Sequence, residues 1–392
     1  MKSVAERRCL MRILIVRNSP TFMDVRYNTY NIQELGLARA LVKKGHVCDI
    51  VFWTNAEETD VKIPVAEGGQ VTVFYRRGKS LLKNAIYPGL DTLVAQYDVV
   101  QSSEYNQFQS WLLARKYPQK TVIFHGPYYS SFNKRYNAMC RLADILFLPG
   151  YRCWNTPFMT KSHLAARFLI GKGIDPDRIS TTGVGMDLDA LLPKETGELP
   201  DEVKRIGSFS DELKLLYVGR VEPRRNIPFL LEVLSELKQR NISARLILIG
   251  TGEKEYCDDC ARRVKELGLT QAVYWIPRVE QKYLAYAYRH TDVFLLPTVY
   301  EIFGMVLLEA MYFEKPVITT QNGGSEMLIE NGKDGIVIPQ FEAARWCDAV
   351  LKAVGDPCMG PAAGKKIRER FTWDKLVDNF LQVYEKKVGP GC

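Results

Sequence analysis

The chain has 392 residues, 46% hydrophobic and 25% charged, with a formal net charge of +8. This balance can fill two or three globular cores, and no short-period repeat or low-complexity tract interrupts it, which excludes a disordered chain. No run approaches the ~18 uninterrupted apolar residues of a membrane-spanning helix, and Arg12 breaks the apolar part of segment 1–16, so neither a transmembrane helix nor a signal peptide is expected.

Strand-like and helix-like stretches alternate along the chain. Residues 12–17 (R-I-L-I-V-R) read as a short buried strand. Residues 33–44 read as a helix with Leu35, Leu37, Ala38 and Leu41 on one side, ended by Gly45. Strands are expected at 47–53, 71–76, 98–101, 121–125 and 144–148, with helices between them, and at 178–182. Residues 187–211 are polar and rich in Pro, Glu and Gly, and read as a connection between domains. The pattern then restarts with strand 214–219, helix 228–240, strand 244–250, helix 254–267, strand 272–276, helix 281–289 and strand 292–296. Strands 317–320 and 336–338 follow. Segment 371–387 is amphipathic, with Trp373, Leu376, Phe380 and Tyr384 at helical spacing. Such alternation predicts an α/β fold of two Rossmann-like domains, 1–186 and 187–370, with a terminal helix in 371–392 crossing back to the first. In open α/β sheets ligands bind beyond the carboxyl ends of the strands, so the site is expected in the crevice between the domains.

Charge and cysteine usage narrow the class. Residues 1–186 hold 25 Lys and Arg against 14 Asp and Glu, a balance of +11, whereas the remainder stands at −3. The first half therefore suits an anionic partner, such as a membrane surface or a lipid diphosphate. Arg76, Arg77, Lys79 and Lys83 interleave with Leu81, Leu82, Ile86 and Tyr87, a basic amphipathic stretch that suits an anionic membrane face; a solvated loop and helix is the plainer alternative. No nucleic-acid motif is recognisable. Nine scattered cysteines read as reduced thiols of a cytosolic protein. Cys257 and Cys260 have C-x-x-C spacing but no second pair or histidine nearby, so a helix face is the better reading. The sequon at Asn241 means little in such a chain.

The most informative string is Glu301-Ile-Phe-Gly-Met-Val-Leu-Leu-Glu309, followed by Ala310-Met311 and Lys315-Pro316-Val317. Two carboxylates with seven residues between them flank the Phe303-Gly304 hinge, just after a strand. A helix starting near Gly304 leaves free backbone N–H groups around Met305 and Val306 that suit a phosphate. Glu309, about one turn in, can accept hydrogen bonds from sugar hydroxyls. Two glutamates on one helix are common, so their spacing alone says little. Gly219 and Arg220 end a strand, and Arg224, Arg225 and Asn226 precede a helix, where guanidinium groups can neutralise a diphosphate. Taken alone, this segment would be an exposed basic helix start. Gly250-Thr-Gly252 is a tight turn after a strand, and Arg278-Val279 follows the next one. His125 stands at a strand end before Gly126, whereas His46, His163 and His290 read as structural. Asp187-Leu-Asp189 fits a metal-binding D-x-D, yet it opens a linker instead of ending a strand.

The extended string E-x-F-G-x-x-x-x-E-A-M, between a strand and a P-V-I strand, resembles the signature of retaining glycosyltransferase family four, the group 1 glycosyltransferases of GT-B fold. The resemblance spans most of the chain, most strongly 213–340. It implies transfer of a sugar from a UDP- or GDP-sugar to a hydroxyl of a glycan or lipid-linked acceptor, with retention and without a metal or other cofactor. It implies that Arg220 and Arg225 hold the diphosphate, with Arg225 where the family has Lys. Glu301 would bind the donor sugar and Glu309 the ribose. Gly250 and Gly252 would lie beside the nucleotide, the backbone at Arg278 and Val279 would contact the base, and His125 would contact the donor sugar. Gly183-Val-Gly-Met-Asp187 is similar to the family's junction turn. Two departures stand out. The Gly-Gly loop after the first strand is replaced by residues 18–30, where Arg26, Tyr27 and Asn28 are the candidates for acceptor or phosphate contact. The G-G-x-P-E segment is Gly323-Gly-Ser-Glu-Met327, and Glu314 stands where Gly is common. A nucleotide-sugar epimerase or hydrolase of the same fold, or a non-catalytic nucleotide-sugar-binding protein, is the alternative.

Overall fold

The computed structural model describes residues 10–26, 32–66, 68–81, 84–192, 197–210 and 212–389. The chain divides into two compact units. The first gathers the described residues of segments 1–161, 165–185 and 373–392; the second gathers 162–164 and 186–372. No helix among the described residues is long and apolar enough to cross a membrane.

In the first unit the strands are β1 (Arg12–Val16), β2 (Val47–Thr54), β3 (Thr59–Pro64), β4 (Gln70–Arg77), β5 (Lys79–Leu81), β6 (Asn84–Ile86), β7 (Val99–Ser103), β8 (Thr121–His125), β9 (Phe158–Thr160) and β10 (Ile179–Thr181). Eight form one sheet in the order 10-9-8-7-1-2-4-3, and β5–β6 is a separate antiparallel hairpin. Only the edge pair β3–β4 of the main sheet is antiparallel. Strands such as β1 and β8 are continuous apolar runs because a parallel sheet is covered on both faces. The terminal helix Trp373–Val388 belongs to this unit. Its Phe380 meets Phe124 of β8 edge to face at 5.4 Å, and the Tyr384 hydroxyl donates to Gln101 Oε1 of β7 at 2.5 Å. Lys44, at the end of helix Gln33–Lys43, pairs with Asp378 at 2.9 Å.

The second unit carries β11 (Leu213–Val218), β12 (Ala244–Ile249), β13 (Val273–Ile276), β14 (Val293–Leu296), β15 (Val317–Thr319) and β16 (Ile336–Val337). All are parallel, in the order 13-12-11-14-15-16. This is the doubly wound Rossmann order, whose direction of winding reverses between β11 and β14. Helix Ile227–Gln239 buries Leu230, Leu231, Leu234 and Leu237, because its apolar residues recur every three or four positions. Pro228 in its first turn costs no hydrogen bond.

Three expectations are corrected. Residues 144–148 are not a strand; they end helix Lys134–Leu146 and begin helix Leu148–Cys153. Their place in the sheet goes to β9, which pairs with β8 and β10. A short apolar run fits strand or helix equally, and here Cys140 and Ala143 already set a helical inner face. Segment 187–211 is more than a linker. It holds helices Leu188–Leu191 and Asp201–Ser208, and Val203 and Ile206 of the latter are fully buried. The basic stretch 76–87 is neither loop nor helix but the end of β4 and the β5–β6 hairpin. Arg76 is neutralised by Asp60 at 2.7 Å and lies 4.9 Å over the Phe74 ring. Leu82 and Lys83 lie outside the described residues.

Candidate active site

The second unit concentrates charge at its switch point. After β11 come Gly219, Arg220 and the 3-10 turn Pro223–Arg225; after β14 comes the loop that ends in Gly304. The two loops are tied through the main chain, where Val299 N–H donates to the Arg224 carbonyl at 2.9 Å. That tie delivers Arg224 and Arg225 to Glu301. Arg224 Nη1 donates to the Tyr300 carbonyl at 3.0 Å and to Glu301 Oε2 at 3.3 Å. Arg225 Nη1 forms a close ion pair with the same oxygen. Glu301 is 8% exposed and Arg225 9%, so the carboxylate is a buried charge compensated by two guanidinium groups. Arg224 Nε also meets Glu222 at 2.6 Å. Arg220 projects into solvent, with Glu222 3.8 Å from its Nε.

Gly304 makes the next helix possible at this point. Its φ of 81° lies in the left-handed region, and an added Cβ would stand 3.2 Å from Glu301 Cγ. Helix Met305–Tyr312 starts directly after it. Phe303 and Val306 bury their side chains as anchors, and Met305 is half-buried. Leu307 N–H donates back to the Gly304 carbonyl at 2.9 Å, and the N–H groups of Met305 and Val306 ahead of it suit an anion. Gly323 N–H donates to the Glu301 carbonyl at 3.2 Å, and Asn322 caps the helix Gly323–Leu328 behind it. Glu309 is fully buried and accepts a hydrogen bond from the Tyr288 hydroxyl at 2.8 Å.

Gly250 and Gly252 act through close approach. A Cβ on Gly250 would fall 1.8 Å from the Gly219 carbonyl oxygen, and one on Gly252 1.7 Å from that of Val221. The loop after β12 thus lies directly on the Arg220 loop. Arg278 is exposed and Val279 half-buried, on the loop after β13.

The first unit has its own charged cluster. His125, the last residue of β8, is fully buried, with Tyr105 edge-on at 5.2 Å and Phe168 stacked at 5.4 Å. Its Nδ1 lies 2.6 Å from Glu104 Oε2. Glu104 follows β7 and takes a left-handed φ of 63°. Gly126 N–H donates to the same oxygen at 3.1 Å, and Lys161 Nζ stands 4.0 Å from Oε1. Burial pushes the Glu104 carboxyl up, but His125, Lys161 and the Gly126 N–H outweigh it and hold the pKa below its ordinary 4.5. In the loop after β1, Arg26 turns back onto Asp24, with Nε to Oδ1 at 2.8 Å and Nη2 to Oδ2 at 2.5 Å. That bond holds the Asp24 carboxyl below the usual range. Tyr27 and Asn28 lie outside the described residues.

Asp187 caps a helix, accepting from Asp189 N–H at 3.1 Å. Among the described residues, no three His, Cys, Asp or Glu side chains gather as metal ligands. Tyr288, Glu104 and Lys161 were not singled out by sequence reasoning, and Arg224, read there as a possible diphosphate contact, was not paired with Glu301. Glu104 was accessible in principle, since it directly follows a strand beside the switch of the first sheet.

Residues 200–372 match the family described as glycosyl transferases group 1. D-inositol 3-phosphate glycosyltransferases from Gordonia bronchialis and Rhodococcus erythropolis are each 28% identical, over 55% of this chain and 49% and 50% of theirs. The chain therefore spans about half the length of the curated relatives it matches. Sucrose-phosphate synthase from Thermosynechococcus elongatus superposes with a TM-score of 0.72 at 18% identity, covering 96% of this chain and 98% of that one. Anabaena HepE, in complex with UDP and glucose, gives 0.67 at 15%, covering 95% and 98%. At such identities the likeness shows the fold, which is the GT-B fold of glycosyltransferases. More narrowly, it is residues 200–372 that are similar to the group 1 glycosyltransferases.

Proposed function

We propose that the protein transfers a sugar from a UDP- or GDP-sugar to a hydroxyl of a glycan or lipid-linked acceptor. Transfer proceeds with retention and without a metal, in the synthesis of a cell-surface polysaccharide or glycolipid. The observation that carries this reading is the clamp of Arg224 and Arg225 on Glu301 at the switch point, inside the segment that matches the family. The HepE complex with UDP and glucose, and the sugar-transferring names of the relatives, favour a nucleotide-sugar donor.

In this reading the donor diphosphate lies against Arg220, Arg225 and the first N–H groups of helix Met305–Tyr312. The bond from the anomeric carbon to the diphosphate oxygen breaks. The acceptor oxygen bonds to the same face of that carbon, and its proton passes to the departing diphosphate. Glu301 accepts hydrogen bonds from sugar hydroxyls and stabilises the developing positive charge. Arg224 completes the clamp that holds Glu301 in place. Glu309, oriented by Tyr288, serves the ribose.

The test is donor turnover by Glu301→Gln, with the product's anomeric configuration read by NMR in the wild type. We expect kcat/KM to fall at least about a hundredfold, roughly 2.7 kcal/mol. A loss under about tenfold would remove the role of Glu301, and an inverted product would remove retention. Donor consumption that needs no acceptor would favour the epimerase or hydrolase.

A further inference from the structure

The first unit exposes an apolar surface where its sequence reads as a buried strand. Of the fourteen exposed large hydrophobic residues among the described ones, six lie between Tyr129 and Ile170. Leu142, Ile145 and Leu146 of helix Lys134–Leu146 are 58%, 74% and 56% exposed, and Phe132 and Ile170 flank them. On that helix Lys134, Arg135, Ala138, Arg141, Leu142 and Ile145 are all exposed, at positions that recur every three or four residues. They form one stripe, basic toward the start of the helix and aliphatic toward its end.

Charge identifies what the stripe faces. Residues 127–173 contain seven Lys and Arg and a single acidic residue, Asp144. Asp144 is bound internally, to Lys172 at 2.5 Å and to the Tyr105 hydroxyl at 2.9 Å. Among the described residues Lys134, Arg135 and Arg141 have no ion-pair partner. Ile145 also lines an open cavity of about 750 Å³ beside Arg152, Arg167 and Lys172. A self-association face would bring Lys134, Arg135 and Arg141 against their own copies. The exposed rings Tyr129 and Phe132 lie outside the helix, and the stripe itself offers a nucleic acid no ring to stack on, ending in leucine and isoleucine. Aliphatic side chains beside unpaired basic ones match the boundary between anionic headgroups and acyl chains.

We infer that helix Lys134–Leu146 docks the first unit on an anionic lipid bilayer, with Leu142, Ile145 and Leu146 entering the acyl boundary and Lys134, Arg135 and Arg141 meeting headgroups. This places membrane contact away from the stretch 76–87, where Arg76 is already neutralised. The docking does not depend on the transferase reading and is measured without donor.

The experiment is co-sedimentation of the full chain with vesicles of phosphatidylglycerol and phosphatidylcholine, compared with phosphatidylcholine alone. The wild type is expected to sediment with the anionic vesicles and to be released by salt. Arg135→Glu with Arg141→Glu should weaken partitioning by at least roughly fivefold per basic charge removed. Leu142→Ser with Ile145→Ser should weaken it with no loss of helical circular dichroism, and Arg76→Glu should leave it unchanged. Three results would overturn the inference. They are no binding to anionic vesicles by the wild type, full binding by both double variants, and a lipid-free dimer in sedimentation equilibrium that Ile145→Ser dissolves.

Discussion

Glu301 and Glu104 are both carboxylates next to cations, but their settings differ. Glu301 meets two permanently charged guanidinium groups delivered by a turn about 77 residues earlier in the chain. Glu104 meets an imidazole, an ammonium and one backbone N–H. The lowered pKa of Glu104 has a definite consequence. The unfolded chain binds a proton at this position more readily than the folded one, so the group stabilises the fold above its ordinary value of 4.5. That contribution fades as the pH drops below 4.5 toward the depressed folded value. Thermal melts of Glu104→Gln should therefore lie below wild type at pH 7, with the gap narrowing by about pH 4. A gap that stays constant across this range would show that the ionised carboxylate is not what stabilises. The motif containing Glu301 is visible in sequence because its parts are consecutive. Its partners, and the pairing of Glu104 with His125, are invisible there because loops from different strands supply them.

At the level of elements, periodicity identified most strands and helices because burial repeats every two or every three to four residues. It failed where local pattern underdetermines pairing. Strand β3 has mostly exposed residues and becomes a strand only against β4. The terminal helix was legible from Trp373, Leu376, Phe380 and Tyr384, all of which are buried. Phe380 is fully buried among Phe124, Trp373 and Tyr384. Phe380→Ala is expected to cost about 3–5 kcal/mol, seen as a lower Tm. A change below about 1 kcal/mol would mean that the helix contributes little to the first unit. The loops around the site rest on glycine contacts. Gly252→Ala places a methyl group on the Val221 carbonyl, so it should push the Arg220 loop aside and weaken nucleotide binding, as read by calorimetric titration with UDP and GDP. Unchanged affinity would detach this loop from the donor.

For the whole molecule, the proposed reading gives Arg220, Arg225 and a helix start the part that a divalent cation plays toward a diphosphate in other designs. Donor turnover is thus expected to stay within about twofold after treatment with EDTA. A loss restored by Mg²⁺ or Mn²⁺ would overturn metal independence. By itself, the sequence determined the α/β alternation, the Glu301–Glu309 string and the basic bias of the first half. These are properties of neighbouring residues and of composition. Only the tertiary structure decided that Arg224 and Arg225 clamp Glu301, that Glu104 holds His125, and that Ile145 and Leu146 point outward instead of joining the sheet. The physical reason is the same in each case. An apolar run or a charged side chain has several locally equivalent uses, and the choice among them depends on what distant segments place beside it.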